Sequence, residues 1–140
     1  MKKHKCRELS FSFEICSETL YYNNKWPSDI IVSINGTEVV TFTSPGDFGG
    51  RRGKYIPDLW PVTSTQFGSL KKLRQTKPWG GYIDNIFMHD RIKFDDLKLY
   101  KRSSVKLDIG IKEDAEYKDR INIFGKNFGD YPQAIVMTVK

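Results

Sequence analysis

Apolar and polar residues alternate along several short segments, which is the pattern of β-strands with one buried face. In the first segment, Leu9, Phe11, Phe13 and Ile15 alternate with serines and a glutamate. A second clear alternation covers residues 105–111, and an apolar run covers residues 133–139. A weaker strand pattern covers residues 66–74, and residues 79–84 are predicted as a turn that enters another short strand. Residues 94–97 carry the single helical pattern, one turn long. The alternation predicts a chain built almost entirely from strands.

A β-hairpin is predicted over residues 30–43. Two runs rich in β-branched residues, 30–34 and 37–43, are separated by Asn35-Gly36. Asn-Gly is the strongest short hairpin signal, because both central positions of a type I′ turn need a positive φ.

Two connecting segments are rich in residues that interrupt regular structure. Residues 44–61 contain three prolines and four glycines, and residues 121–132 combine glycines with aromatic and amide side chains. Short strands, long connections and little helical periodicity predict an all-β fold, an antiparallel β-sandwich that is jelly-roll-like, with long Gly/Pro-rich loops. A parallel sheet would need crossover helices, for which the pattern gives no support.

Length and composition narrow the class of protein further. The chain has 140 residues, with 39% hydrophobic and 29% charged, so residues 1–140 are expected to form a single soluble domain. The basic N-terminus leads into alternating residues rather than an apolar block, which predicts a cytoplasmic protein without membrane association. With two histidines and two cysteines, neither a metal site nor a cofactor is expected.

A net charge of +6 permits attraction to nucleic acid but does not establish it. Lysines and arginines gather at residues 2–7, 51–54, 71–74 and 98–106, and are interpreted mainly as solvated strand faces and ends. Lysines interleaved with aromatic residues around residues 67–74 leave a base-stacking, phosphate-binding surface as an alternative, without a recognition motif to support it.

The glycine-rich loop at residues 44–55 contains Arg51, Arg52 and Lys54. Exposed backbone N–H groups and arginine side chains together suit a phosphate or carboxylate ligand. The ending of a P-loop is missing, so a nucleoside triphosphate is not expected. The alternative is a purely structural loop, in which the arginines pair with Asp47 or Asp58.

Trp26, Trp60 and Trp79 each adjoin a proline in or beside a loop. Flat aromatic faces next to planar polar side chains are what a sugar-binding site needs. The alternative is that each tryptophan closes one end of the sandwich.

Candidate catalytic groups are few. A glycosidase needs two carboxylates about 5 to 9.5 Å apart across a cleft, and the positions of pairs such as Asp95 with Asp96, or Asp47 with Asp58, along the sequence do not give that distance. His89 lies beside Asp90, but no serine or cysteine occurs in a nucleophile motif. No enzymatic activity is therefore expected.

Several sequence blocks together resemble the C-terminal extension of bacterial winged-helix transcriptional regulators of the ArsR type. In chain order they cover residues 26–27, 34–39, 43–54, 57–61, 65–71, 108–115 and 121–131. The resemblance implies the regulatory or effector half of a DNA-binding protein, which would contact DNA only through a winged-helix domain that these residues do not contain. The metal-sensing cysteines associated with the wider group have no counterpart here.

These lines combine into one hypothesis, a non-enzymatic sensory or assembly domain that binds a small polar or carbohydrate-like effector, with a homodimer left open. A free-standing carbohydrate-binding module is the alternative. The predicted ligand contacts are Trp26, Asp47, Arg51, Arg52, Trp60, Gln66, Asn127 and Asp130.

Overall fold

The structure is a computed structural model that describes residues 6–19, 21–77, 80–89, 92–99, 103–117 and 120–140. This part of the chain contains nine strands and one 3-10 turn, and no α-helix. The elements are β1 (Glu8–Glu18), β2 (Ser28–Ile34), β3 (Thr37–Ser44), β4 (Ser69–Thr76), β5 (Gly80–Ile83), β6 (Ile86–His89), the 3-10 turn (Phe94–Leu97), β7 (Leu107–Ile111), β8 (Arg120–Ile123) and β9 (Val136–Val139).

The strands form two antiparallel sheets. The larger has six strands in the order β6-β5-β4-β1-β8, with β9 also paired to β1. One edge of β1 is shared, because β9 pairs with its residues 9–12 and β8 with its residues 15–18. The smaller sheet has the order β3-β2-β7. The prediction of an all-β chain with antiparallel pairing is confirmed.

Both sheets contribute to one hydrophobic cluster. The alternating apolar residues of β1 are at most 4% exposed, and those of β2 at most 1%. This burial explains why these segments form strands, since each places every second side chain in the core. The cluster also contains residues of β3, β4, β5 and the 3-10 turn, namely Val39, Val40, Leu73, Ile83, Phe94 and Leu97.

The predicted hairpin is confirmed as β2 and β3. Asn35 and Gly36 have φ values of 50° and 82°, as a type I′ turn requires. The Asn35 side chain also accepts a hydrogen bond from the Lys106 backbone N–H at 2.9 Å, and its amide donates to the Leu97 carbonyl at 2.8 Å. The turn is thereby tied to the chain on either side of residues 98–105.

Several predicted boundaries differ from the structure. The run at 133–139 forms a strand only over Val136–Val139. Part of the segment at 121–132 that was predicted as a loop belongs to β8 (Arg120–Ile123), because it pairs with the end of β1. The predicted single helical turn is confirmed as the 3-10 turn, and Trp79 lies outside the described residues.

One feature of β1 was predicted wrongly. Its polar face is also buried, with Glu14 and Cys16 0% exposed and Ser10 5% exposed. Cys16 forms a second cluster with Ile56 and Phe124, against which Phe48 and Phe128 pack. The segments 45–68 and 124–133 therefore cover part of the outer face of the six-stranded sheet, the face directed away from the smaller sheet. Within the described residues, no helix combines the length and apolarity needed to cross a bilayer.

Candidate functional site

Glu14 joins the two long loops that cover the outer face. Its carboxylate accepts hydrogen bonds from the backbone N–H groups of Gly68 at 2.7 Å, Asp130 at 3.0 Å and Tyr131 at 3.2 Å. Burial raises the pKa of the Glu14 carboxyl, while these backbone donors act in the opposite direction. Glu14 was not identified from the sequence as a site residue, because a glutamate at a polar position of an alternating strand is expected to face solvent.

Arg51 and Asp130 connect the same two loops at the surface. Both nitrogens at the end of the Arg51 guanidinium bind the Asp130 carboxylate, one of them at 2.9 Å. The guanidinium carbon also lies 3.7 Å from the centre of the Phe67 ring. Hydrogen bonding to Arg51 lowers the pKa of Asp130. The structural alternative that paired Arg51 with Asp47 or Asp58 is therefore wrong, since the partner lies 79 residues away.

Arg52 and Gln66 shape the segment that carries Trp60. Arg52 donates to the Trp60 carbonyl at 3.3 Å, and the Gln66 amide donates to the carbonyls of Pro61 at 2.9 Å and Ser64 at 3.2 Å. Gln66 is 1% exposed, so its amide forms hydrogen bonds within the loop and is closed off from solvent. Both predicted contacts thus hold the backbone around Trp60 in place.

Asp47 lies beneath this loop and is fully buried. One carboxylate oxygen accepts a hydrogen bond from the Thr19 backbone N–H at 2.8 Å, and the Thr65 hydroxyl also binds the carboxylate. The other oxygen, Oδ1, has no partner among the described residues. Burial raises the pKa of Asp47. Its two partners, Thr19 and Thr65, line the cavity described next.

A groove of about 740 Å³ lies between the end of β1, β8 and the covering loops, and we call it the loop-covered groove. This volume is within the range of small-molecule sites. Trp60 and Tyr21 are 40% and 68% exposed, and Trp60 contacts Phe128 edge to face with ring centres 5.5 Å apart. The groove is lined by Glu18, Thr19, Tyr21, Ile56, Trp60, Pro61, Thr63, Ser64, Thr65, Arg120, Asn122, Ile123, Phe124, Gly125 and Phe128.

The eight predicted contacts divide into three groups. Trp60 lines the loop-covered groove, while five others hold the loops around it, namely Asp47, Arg51, Arg52, Gln66 and Asp130. Trp26 and Asn127 are exposed and are not among the lining residues. Their role as ligand contacts stays a prediction.

Several lining residues escaped the sequence interpretation. Glu18 belongs to β1 and Asn122 to β8. In the pairing of these two strands, Glu18 lies opposite Arg120, and Asn122 lies opposite Cys16. Only the pairing of strands separated by about a hundred residues brings these side chains together. Among the described residues, no group of three or more histidine, cysteine, aspartate or glutamate side chains is arranged to hold a metal ion.

Comparison with family models, with curated proteins and with solved structures finds no match for this chain. The resemblance to ArsR-type regulators therefore rests on the order of the sequence blocks alone.

Proposed function

We propose that this chain is a non-enzymatic binding domain that takes a small polar, carbohydrate-like ligand in the loop-covered groove. The observation that supports the proposal is the composition of the groove wall, in which exposed faces of Trp60 and Tyr21 stand with Asn122 and the hydroxyl groups of three threonines and a serine. Aromatic faces pack against the C–H side of a sugar ring, while amides and hydroxyls bind its hydroxyl groups.

The distribution of carboxylates favours binding over hydrolysis. Glu18 is the one carboxylate among the described residues that line the groove. Glu14 and Asp47 are fully buried, and each accepts at least one hydrogen bond from a backbone N–H group. Glycoside hydrolysis would require two carboxylates facing each other across the ligand.

The wider role follows from the sequence resemblance. In this proposal the chain is the cytoplasmic sensory or assembly part of an ArsR-type regulator, and ligand binding biases an attached DNA-binding domain or a homodimer through its affinity difference between two states. A free-standing carbohydrate-binding module would use the same groove. A winged-helix segment in the same reading frame supports the first role, and a hydrolase domain or secretion signal supports the second.

The packing of the two sheets as a sandwich is supported by the hydrophobic cluster that both sheets share, and a jelly-roll-like strand order stays a prediction.

A thermal-shift screen with neutral sugars, sugar phosphates and simple anions tests the proposal. A ligand present at 100 times its dissociation constant stabilises the fold by about 2.7 kcal/mol. For a sugar that gives a shift, we expect Trp60→Ala to weaken binding about tenfold or more in calorimetric titration, because it removes the aromatic face.

Tyr117→Ala is the control, since Tyr117 is 43% exposed but lies outside the groove wall. We expect this variant to bind the sugar as the unmodified protein does. Equal affinity losses in the two variants, or no shift with any sugar, would contradict the proposal.

A further inference from the structure

The part of the outer face that the loops leave bare carries a row of aromatic, cationic and hydroxyl side chains. The strand register sets the members of this row opposite one another across β6, β5, β4, β1 and β9. Because adjacent strands lie about 4.8 Å apart, the row is roughly 19 Å long. We call it the open face: Phe87 and Thr138 at its two ends are exposed, Tyr82 and Arg74 are half-buried, and Ser10 in the row is buried. Lys72, two residues from Arg74 along β4, is exposed.

The aromatic end of the open face combines two aromatic rings with an arginine guanidinium. The guanidinium carbon of Arg74 lies 4.5 Å from the centre of the Tyr82 ring. The Phe87 ring meets Tyr82 edge to face at 5.6 Å, and Phe87 is 52% exposed. Aromatic rings and arginine planes on a sheet surface are groups on which unpaired bases stack.

The charge beside these two rings is positive. Lys72 is exposed, and alternation along β4 puts it on the same face as Arg74. Lys140, at the end of β9, lies 3.7 Å from the Glu8 carboxylate, which also binds Arg74 at 3.2 Å. Two cations, Arg74 and Lys140, therefore share one carboxylate, and Lys72 adds a further positive charge on the same face of a chain whose net charge is +6. This excess complements a phosphate backbone.

We propose that the open face binds single-stranded nucleic acid, with bases stacked on Phe87 and Tyr82 and phosphates beside Lys72 and Arg74. Duplex DNA keeps its bases stacked inside the helix, so it offers the aromatic rings nothing to stack on. Little preference among base sequences is expected, because every base has a π face. The inference is independent of the loop-covered groove.

Fluorescence anisotropy with labelled 12-nucleotide oligo(dT) and oligo(U) in 50 mM salt tests the proposal. Phe87→Ala should weaken binding about fivefold or more, as expected for the loss of one stacked base. Lys72→Ala should weaken binding and reduce the slope of log affinity against log salt by about 0.7, the value for one phosphate contact on a single strand.

Ile86→Ala is the matched control, because Ile86 is 67% exposed but adjoins Phe87 on the opposite side of β6, paired with the buried Ile83. It should bind as the unmodified protein does, and so should Trp60→Ala. The proposal is overturned if neither oligonucleotide binds, if Phe87→Ala and Ile86→Ala behave alike, or if heparin or duplex DNA binds as tightly as the single strands, since charge alone would then explain the affinity.

Discussion

Two regions of one sheet surface behave differently, although both are built from alternating strands. Where β1 pairs with β8, the outer face lies under the covering loops and buries Glu14 and Cys16 completely. Where β5 pairs with β4 and β6, the same face leaves Phe87 half exposed and Tyr82 partly exposed. The polar residue Glu14 is thus buried and holds the covering loops in one region, whereas the aromatic residue Phe87 lies at the surface in the other. The loops, rather than the strands, decide which side chains meet solvent.

The strongest test of this difference removes the anchor of the covered region. Glu14→Gln replaces one acceptor oxygen by an NH₂ group that faces backbone N–H donors of Gly68, Asp130 and Tyr131. Leaving such buried groups unsatisfied should lower the free energy of unfolding by about 3 kcal/mol or more, as measured by urea denaturation.

A second measurement and a control keep that test specific. Cys16 should react with a thiol reagent much faster in Glu14→Gln, because the loops that bury it are loosened. Glu8→Gln, in the open region with a carboxylate bound to side chains only, should cost less than about 1 kcal/mol. Equal losses of unfolding free energy in Glu14→Gln and Glu8→Gln would show that Glu14 does not hold the covering loops in place.

A smaller effect is expected at Gly129, which touches the anchor. Its φ is +75°, and a Cβ placed there would overlap the Glu14 carboxylate. Gly129→Ala should lower the free energy of unfolding by about 2 kcal/mol, from the left-handed backbone cost plus displacement of the carboxylate. Gly110→Ala in β7 is the control, since nothing lies within 4 Å of its Cβ position. It should be neutral or slightly stabilising, and a matching loss there would refute the explanation.

The smallest effect concerns the ion pair at the rim of the covered region. The pKa of Asp130 is lowered by Arg51, so its stabilisation is present above the unfolded value of about 3.9 and is lost as pH falls through the lowered one. Asp130→Asn should cost less than about 1 kcal/mol at pH 7, because the Arg51 side chain is 54% exposed. The difference from the unmodified protein should shrink as the pH is lowered below about 3.9 and through the lowered pKa of Asp130.

The pKa of Glu14 is raised, and its ionisation therefore acts in the opposite sense, weakening the fold as pH rises. Desolvation, the largest cause of that raised pKa, is common to both proteins, whereas the repulsion from the Asp130 charge is a minor cause that Asp130→Asn removes. Denaturation curves from pH 7 to pH 2 check the sign, and a stability difference that grows in acid would contradict the assignment.

Several residues in and around the candidate site were identified from the sequence, but the contacts that most of them make within the chain were not. Trp60 was predicted as a ligand contact and does line the groove. Arg51, Arg52 and Gln66 were chosen for the same chemistry, but their polar groups bind Asp130 or loop carbonyls. Composition marks such side chains as capable of binding an anion or sugar, but it does not tell whether the partner is a ligand or the chain itself.

The sequence by itself determined the strands, the hairpin at Asn35-Gly36 and the apolar face of β1, because each depends on neighbouring residues and on periodic burial. Only the tertiary structure decided that Glu14 is buried, since its partners lie 54, 116 and 117 residues away along the chain. It also decided that Asn122 meets the end of β1 and that Phe87 lies beyond the covering loops. Backbone propensity is local, whereas the burial of a polar group is set by whichever distant segment packs over it.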